Sequence, residues 1–148
     1  MQIKRANSTD MDQLADLFNR YRVFYNCAAD NENARKFLYE RLSNNDSVIF
    51  ICFDEEGYAA GFTQLYPLFS STGMKKLWLL NDLFVNENQR GKGYSVALID
   101  KAKDLCKETQ ACGLILETQK GNTIGNKLYM KTGFSLDIEH NYYSWNTN

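Results

Sequence analysis

The sequence contains little proline, little histidine and no long apolar run. Of its 148 residues, one is proline, one is histidine and four are cysteine. No segment reaches the roughly 20 apolar residues that a membrane-spanning helix needs. No apolar stretch follows the first residues either, so we expect no signal peptide and a protein of the cytoplasm. Since repeats and low-complexity linkers are absent as well, the sequence predicts one domain over residues 1–148.

Neither a metal site nor a nucleic-acid surface is indicated. No two cysteines have the C-x-x-C spacing of a zinc site, and the single histidine, His140, lies far from all four. Cys52 lies in an apolar run and Cys106 on an apolar helical stripe, a pattern typical of small core residues. A formal net charge of −1 predicts no broad basic face for DNA or RNA. We therefore expect a globular protein without a zinc site or a nucleic-acid surface.

The hydrophobic pattern predicts an α/β fold (α+β mixed sheet) in the order β-α-α-β-β-β-α-β-α-β-β. Predicted helices begin near Met11, Asp30, Tyr94 and Asn122, and residues 67–73 are predicted to form a loop. The predicted strands are 2–6, 48–53, 58–66, 75–85, 113–118, 134–138 and 142–145. This order predicts a mixed sheet with helices on both faces and a parallel crossover from strand 75–85 to strand 113–118.

A glycine-containing turn joins the fourth predicted strand to the third predicted helix. It reads Arg90-Gly91-Lys92-Gly93-Tyr94-Ser95. Two glycines allow the backbone to curl so that several N–H groups point at one spot. The helix N-terminus adds roughly half a positive charge there. The turn therefore predicts an anion site, most naturally for a phosphate or pyrophosphate. A P-loop is excluded because no Gly-Lys-Ser/Thr follows the turn.

Two motifs make the chain similar to the GNAT superfamily of acetyl-CoA-dependent N-acetyltransferases. Arg90-x-x-Gly93-x-Ser95 resembles the Q/R-x-x-G-x-G/A signature, and it follows a strand that ends Leu83-Phe84-Val85. About thirty residues downstream, the chain resembles N-x-x-A-x-x-L-Y-x-x-x-G-F with Asn122-x-x-Gly125-x-x-Leu128-Tyr129-x-x-x-Gly133-Phe134. Ser95 and Gly125 depart from the pattern. Gly125 is expected to loosen its helix by up to ~1 kcal/mol relative to alanine.

The resemblance implies a GNAT fold, acetyl-CoA as cosubstrate and transfer of its acetyl group to a primary amine. Main-chain N–H groups of residues 90–95 are expected to hold the pyrophosphate, and the strand end 83–85 to pair with the pantetheine arm. Tyr129 is expected to donate a proton or hydrogen bond to the departing thiolate. The implied cofactor-binding residues are Leu83, Phe84, Val85, Arg90, Gly91, Lys92, Gly93, Tyr94, Ser95, Asn122 and Tyr129.

The amine must lose a proton before it attacks. Asn81 falls where the polyamine-acetylating members that the chain resembles carry a Glu, and Asn can orient a water but cannot act as a base. Asp82 can accept the proton through that water if a β-bulge turns it inward. The alternative is that Asp82 only organises the backbone. Glu117 is a less favoured base.

Tyrosines are the candidate acceptor-binding residues. Tyr21, Tyr25 and Tyr66 can line a slot for a cationic amine, although helical spacing also explains Tyr21 and Tyr25 as part of a core stripe. The alternative function is a non-catalytic module that binds or senses acyl-CoA, which the missing Glu at position 81 favours. The aromatic tail of residues 142–145 is compatible with a homodimer or with an intramolecular sheet edge.

Overall fold

The structure, a computed structural model, describes residues 1–147 and divides into two compact units. The first unit is Met1–Glu117 and the second begins at Thr118. The strands are β1 (Gln2–Arg5), β2 (Val48–Phe53), β3 (Ala59–Ser70), β4 (Lys75–Val85) and β5 (Leu114–Ile115). The helices are α1 (Met11–Phe24), α2 (Asn31–Ser43), α3 (Tyr94–Glu108) and, in the second unit, α4 (Thr123–Lys131). Among these helices, none is both long and apolar enough to cross a bilayer.

The sheet of the first unit is mixed, as the sequence predicted. Its strand order is β1-β2-β3-β4-β5; the first four strands pair antiparallel, and β5 is parallel to β4. The helix α3 connects β4 to β5, so the predicted parallel crossover is confirmed. This connection places the turn at residues 90–93 after the end of β4, from which a 3₁₀ helix, Glu87–Gln89, separates it.

Helices cover both faces of the sheet. Successive residues of a strand point to opposite faces, and each face has its own buried cluster. Ile49, Ile51 and Phe62 belong to the cluster that also contains the buried residues of α1 and α2. On the other face, Cys52 packs with Leu98 of α3. The mixed α/β class and the helices on both faces are therefore confirmed.

Strand β3 is longer than the sequence indicated. The predicted loop 67–73 is wrong at its start, since β3 continues to Ser70 and Pro67 pairs with Trp78. A proline has no N–H for a ladder and is tolerated at a sheet edge. Leu65 is the last residue of β3 paired with β2, so Pro67 lies where β3 has passed the end of that ladder. Its missing N–H therefore breaks no pairing with β2.

The two predicted closing strands are absent. No strand follows β5 within residues 116–147, and β5 itself has two residues rather than six. Apart from Phe134, which is half-buried, the apolar side chains of the predicted strands are highly exposed, with Leu136 at 77% and Trp145 at 86%. Alternating apolar residues form a strand only where a neighbouring strand supplies hydrogen bonds and a surface to bury them. The described part of the chain gives residues 134–138 and 142–145 no such neighbour.

Candidate active site

The turn after β4 has the backbone that an anion site requires. Gly91 and Gly93 have φ of 78° and 87°, and Gly93 is the N-cap of α3 in the left-handed region. The first bond of the helix runs from Ala97 N to Gly93 O at 3.1 Å, so the preceding N–H groups of the first turn point along the helix axis. No acidic residue lies in that turn. These N–H groups and the helix dipole favour an anionic ligand.

The side chains of the turn point in different directions. Arg90 donates through Nε to Val85 O at 3.2 Å, and its guanidinium lies 5.5 Å from the centre of the Phe24 ring. Lys92 donates to Gln89 Oε1 at 2.8 Å. Tyr94 is 6% exposed and packs into the core, so its contribution to an anion site is its main-chain N–H. Arg90 thus fixes the turn to the end of β4.

The end of β4 presents main-chain groups on the edge away from β3. Asn86 N donates to Ala60 O on the β3 side at 2.8 Å. Because facing residues alternate along an antiparallel ladder, Leu83 and Val85 direct their N–H and C=O groups to the opposite edge. There β5 pairs with only two residues of β4, the later being Leu79. The edge at Leu83 and Val85 therefore continues past the β5 ladder, as an added strand-like ligand would require, and on it Val85 O already accepts from Arg90.

A β-bulge turns Asp82 into the protein. Gln64 pairs with Asp82 and Leu65 pairs with Leu80, so Asn81 is the extra residue on β4. Asp82 is 4% exposed, whereas Asn81 is exposed. The bulge on which the proposed role of Asp82 depended is therefore present.

The Asp82 carboxylate lies in a dense hydrogen-bond network. Gln64 Nε2 donates to Oδ2 at 2.7 Å, Asn81 Nδ2 donates to Oδ1 at 3.1 Å, and the Tyr21 side chain also hydrogen-bonds the carboxylate. Burial raises the pKa of Asp82, and these three hydrogen bonds act in the opposite direction. A buried carboxylate with a raised pKa is a good proton acceptor.

Two buried polar residues behind Asp82 were not predicted from the sequence. Gln64 is fully buried, and Ser47, which immediately precedes β2, is 4% exposed. Ser47 Oγ donates to Gln64 Oε1 at 2.8 Å. The sequence signal was the polar pair Thr63-Gln64 inside a largely apolar strand, since a buried polar side chain needs a partner.

Two of the three candidate acceptor tyrosines lie at Asp82. Tyr21 hydrogen-bonds the carboxylate. Burial is the largest cause, and the negative charge of Asp82 the next, of a rise in the pKa of Tyr66 to about 12. Tyr25 is 42% exposed and contacts the Tyr21 ring edge-on, with 5.0 Å between ring centres. The structure thus brings Tyr21 and Tyr66 to the candidate base and places Tyr25 one ring further out.

Clefts of different character flank β4. One of about 440 Å³ lies between α1 and the end of β4 and is lined by Asn19, Arg20, Val23, Phe24, Phe84, Asn86 and Glu87. A larger one of about 800 Å³ lies near the start of β4, beside Lys75 and Lys107, and contains none of the predicted site residues. Of the predicted site residues, Phe84 lines the first of these clefts. In the described chain, no group of three or more His, Cys, Asp and Glu residues is arranged to hold a metal ion.

In the second unit, Asn122 caps α4. Its Oδ1 accepts from Gly125 N at 3.0 Å, and its Nδ2 donates to Thr118 Oγ1 at 3.0 Å. A Cβ on Gly125 would lie 2.4 Å from Asn122 Nδ2. Gly125 therefore does more than loosen the helix: it makes room for the amide that caps it.

Tyr129 lies near the C-terminal end of α4 and packs against Phe134. The two ring centres are 5.8 Å apart in an edge-on arrangement, and Phe134 N donates to Tyr129 O at 3.0 Å. Gly133 ends the helix with φ of 89°, as predicted from its position after the apolar stripe. The ring of Tyr129 is thus held by the helix end on which it lies.

Comparison with known proteins gives the family. A model of the acetyltransferase (GNAT) family matches residues 11–134. The chain is 42% identical over 146 residues to the uncharacterized N-acetyltransferase YhfO of Bacillus subtilis (strain 168), covering 99% of this chain and 97% of that protein. It is 37% identical over 117 residues to a probable acetyltransferase of Haemophilus influenzae, covering 79% and 80%. A crystal structure of a probable acetyltransferase matches with a TM-score of 0.95 and 38% identity over 100% of this chain and 99% of that one.

The fold and the glycine turn define the class of protein as a GNAT-fold acyltransferase. The chain belongs to the acetyltransferase (GNAT) family. This result favours an enzyme over the alternative of a non-catalytic acyl-CoA-binding module. Acetyl-CoA is the cosubstrate that the family generally uses.

Proposed function

We propose that this protein transfers the acetyl group of acetyl-CoA to a primary amine of a small molecule or peptide by direct attack. The observation that carries the proposal is the bulge at Asn81, which turns the Asp82 carboxylate inward at the end of β4. We take residues 1–148 to form one acetyltransferase domain, because the family match spans residues of both compact units.

The cosubstrate is assigned to main-chain groups. The N–H groups of residues 90–95 bind the pyrophosphate, supported by the left-handed glycines and by the dipole of α3. The strand end 83–85 binds the pantetheine arm through the edge that Leu83 and Val85 present. Asn122 is assigned to the same cosubstrate; its amide already caps α4 and keeps further hydrogen-bonding capacity.

Asp82 is proposed as the base. An amine with a pKa of ~10.4 must give up a proton at a cost of about 4–5 kcal/mol at pH 7. That proton passes through a water held by Asn81 to Asp82 Oδ1, and the freed nitrogen lone pair attacks the acetyl carbonyl. The C–S bond then breaks, and the thiolate leaves with a hydrogen bond or proton from Tyr129, while the newly acetylated nitrogen gives up its second proton to solvent. Asn81 therefore occupies the position of the missing Glu, and its role is to orient the water rather than to act as the base.

The acceptor is a cation before it reacts, which suits the residues around Asp82. The ring faces of Tyr21, Tyr25 and Tyr66 can hold an ammonium group by cation–π contact. The carboxylate supplies the opposite charge. We also propose a cytoplasmic location and a homodimer that covers the exposed aromatic tail at residues 142–145.

A panel of amines tests this function. Thiol release from acetyl-CoA is measured with polyamines, amino acids, aminoglycosides and lysine peptides at matched concentration. We expect release above the no-amine background with one amine class. Tight binding of acetyl-CoA with no release from any class would overturn the proposal and restore the binding-module alternative.

Gly93→Ala is expected to weaken acetyl-CoA binding about tenfold. An L-residue at φ 87° costs about 1–2 kcal/mol, and the backbone relieves that strain by rotating the N–H groups away from the phosphates. Gly57→Ala is the matched control, since Gly57 has φ 86° and equally open space in the β2–β3 turn. Isothermal titration of acetyl-CoA into each variant measures the effect. Equal losses of affinity in both variants would contradict a role for the turn at Gly93.

A further inference from the structure

We propose that Ser47 and Gln64 are positioning residues for the reaction: Gln64, oriented by Ser47, holds Asp82 Oδ2 and leaves Oδ1 beside Asn81 to take up the proton. This inference rests on the proposed role of Asp82 and adds residues from β3 and from the chain just before β2. It stands on the two buried hydrogen bonds, of 2.8 Å and 2.7 Å, that connect the three side chains.

The chain of hydrogen bonds has a direction that charge imposes. An ionised carboxylate only accepts, so Gln64 must turn its NH₂ toward Asp82. The Gln64 oxygen then faces Ser47, which must donate its hydroxyl proton. Because Gln64 is fully buried, water cannot replace either partner. The carboxylate thus selects the amide orientation, and Ser47 satisfies the Gln64 oxygen that this orientation turns toward it.

The two carboxylate oxygens of Asp82 consequently differ. Oδ2 is bound to a fully buried amide, whereas Oδ1 is bound to Asn81, whose side chain is exposed. Of the two, Oδ1 is therefore the oxygen that a water at the protein surface can reach through Asn81. An asymmetric carboxylate of this kind takes up a proton at one position.

Other titratable groups face Asp82 from the packed elements. Tyr21 does so from α1, and Tyr66 does so from β3; Arg41 and Asp46 act in turn on Tyr66. Burial, followed by the charge of Asp82, raises the pKa of Tyr66 to about 12, far above the range in which a carboxyl group titrates. A change in the Asp82 titration after substitution of Gln64 or Ser47 is therefore not a titration of Tyr66.

The experiment follows the Asp82 carboxyl carbon by ¹³C NMR as pH is varied, with Asp82→Asn used to assign the signal. In Gln64→Met, which removes the donor at similar volume, we expect the titration midpoint to move up by about one pH unit. Ser47→Ala should move it in the same direction by less. The acidic limb of kcat/KM against pH should move with it, since the base must be ionised.

Thr63→Val is the matched control. Thr63 lies beside Gln64, is fully buried, and donates to the main-chain oxygen of Asp82 at 2.8 Å rather than to the carboxylate. Thr63→Val should lower the free energy of unfolding without moving the titration midpoint of Asp82. An unmoved midpoint in folded Gln64→Met would overturn the proposal; if that variant does not fold, an unmoved midpoint in Ser47→Ala would do so.

The readouts separate this proposal from the proposed function. In Gln64→Met, the titration midpoint of the Asp82 carboxyl group could move while the acidic limb of kcat/KM against pH does not. Gln64 would then position Asp82, but Asp82 would not be the base. If the limb matches the Asp82 midpoint in the unsubstituted protein but neither moves in Gln64→Met, the base stands and the positioning fails.

Discussion

Asp82→Asn is expected to lower kcat about a hundredfold or more, since a positioned general base contributes roughly 10²–10⁴. The asparagine keeps the shape of the carboxyl group and can still accept from Gln64, but it cannot take a proton. The acidic limb of the pH profile should disappear in the variant, leaving a rate that rises with the fraction of free amine. Steady-state kinetics across pH 5–9 measure this. An unchanged profile would exclude Asp82 as the base.

The same substitution separates catalysis from folding. Burial raises the pKa of Asp82 in the folded state, so its contribution to stability is full below the unfolded pKa and is lost as pH rises through the folded pKa. At pH 7 the unsubstituted protein carries this penalty and Asp82→Asn does not. At pH 7 the variant should therefore be at least as stable as the unsubstituted protein. As pH falls, the stability of the unsubstituted protein should rise relative to that of the variant. Urea unfolding at pH 7 and pH 5 tests this; marked destabilisation at pH 7 would favour the backbone-organising alternative.

Tyr129→Phe is expected to lower kcat about tenfold to a hundredfold, with a much smaller loss of affinity for acetyl-CoA. A free tyrosine has a pKa of ~10 and a thiol ~8.5, so complete proton transfer is uphill by about 2 kcal/mol. A hydrogen bond to the departing thiolate is the larger part of the expected effect, and such bonds contribute about 1.5–3 kcal/mol. Phenylalanine keeps the ring that packs on Phe134.

The control for Tyr129→Phe is Tyr142→Phe, which removes the hydroxyl of a tyrosine that is 81% exposed in the same unit. It should leave kcat unchanged. An acetyl donor whose thiol is more acidic should also narrow the gap between Tyr129→Phe and the unsubstituted protein. Full activity in Tyr129→Phe, or a gap independent of the thiol, would contradict a role in thiolate departure.

Most of the fold could be predicted because its signals are local. Asp30 and Asn122 were expected at helix starts, and each side chain accepts a backbone N–H of the helix that follows. The six apolar residues of β2 face a helix-covered surface on both sides, which explains why they do not alternate. The turn at residues 90–93 was marked by two glycines, and both have positive φ.

The features that the sequence could not show depend on contacts between residues that are distant in sequence. The bulge at Asn81 exists only in the register of β4 against β3, so the inward direction of Asp82 could be stated only as a condition. Gln64 acquires its place from Ser47 and Asp82, which lie 17 and 18 residues away in sequence. Residues 134–138 have a strand-like pattern, but residues 1–147 supply no strand beside them. The roles assigned to the site residues remain predictions that the experiments above test.

The most direct test of acetyl transfer by direct attack counts both products of one reaction. The best amine of the panel is incubated with acetyl-CoA; free thiol is measured with a thiol reagent, and acetylated amine and intact protein are measured by mass spectrometry. We predict one acetylated amine for each thiol released and no acetyl group on the protein. Thiol release without acetylated amine, or an acetylated protein that passes its acetyl group to the amine, would contradict the account.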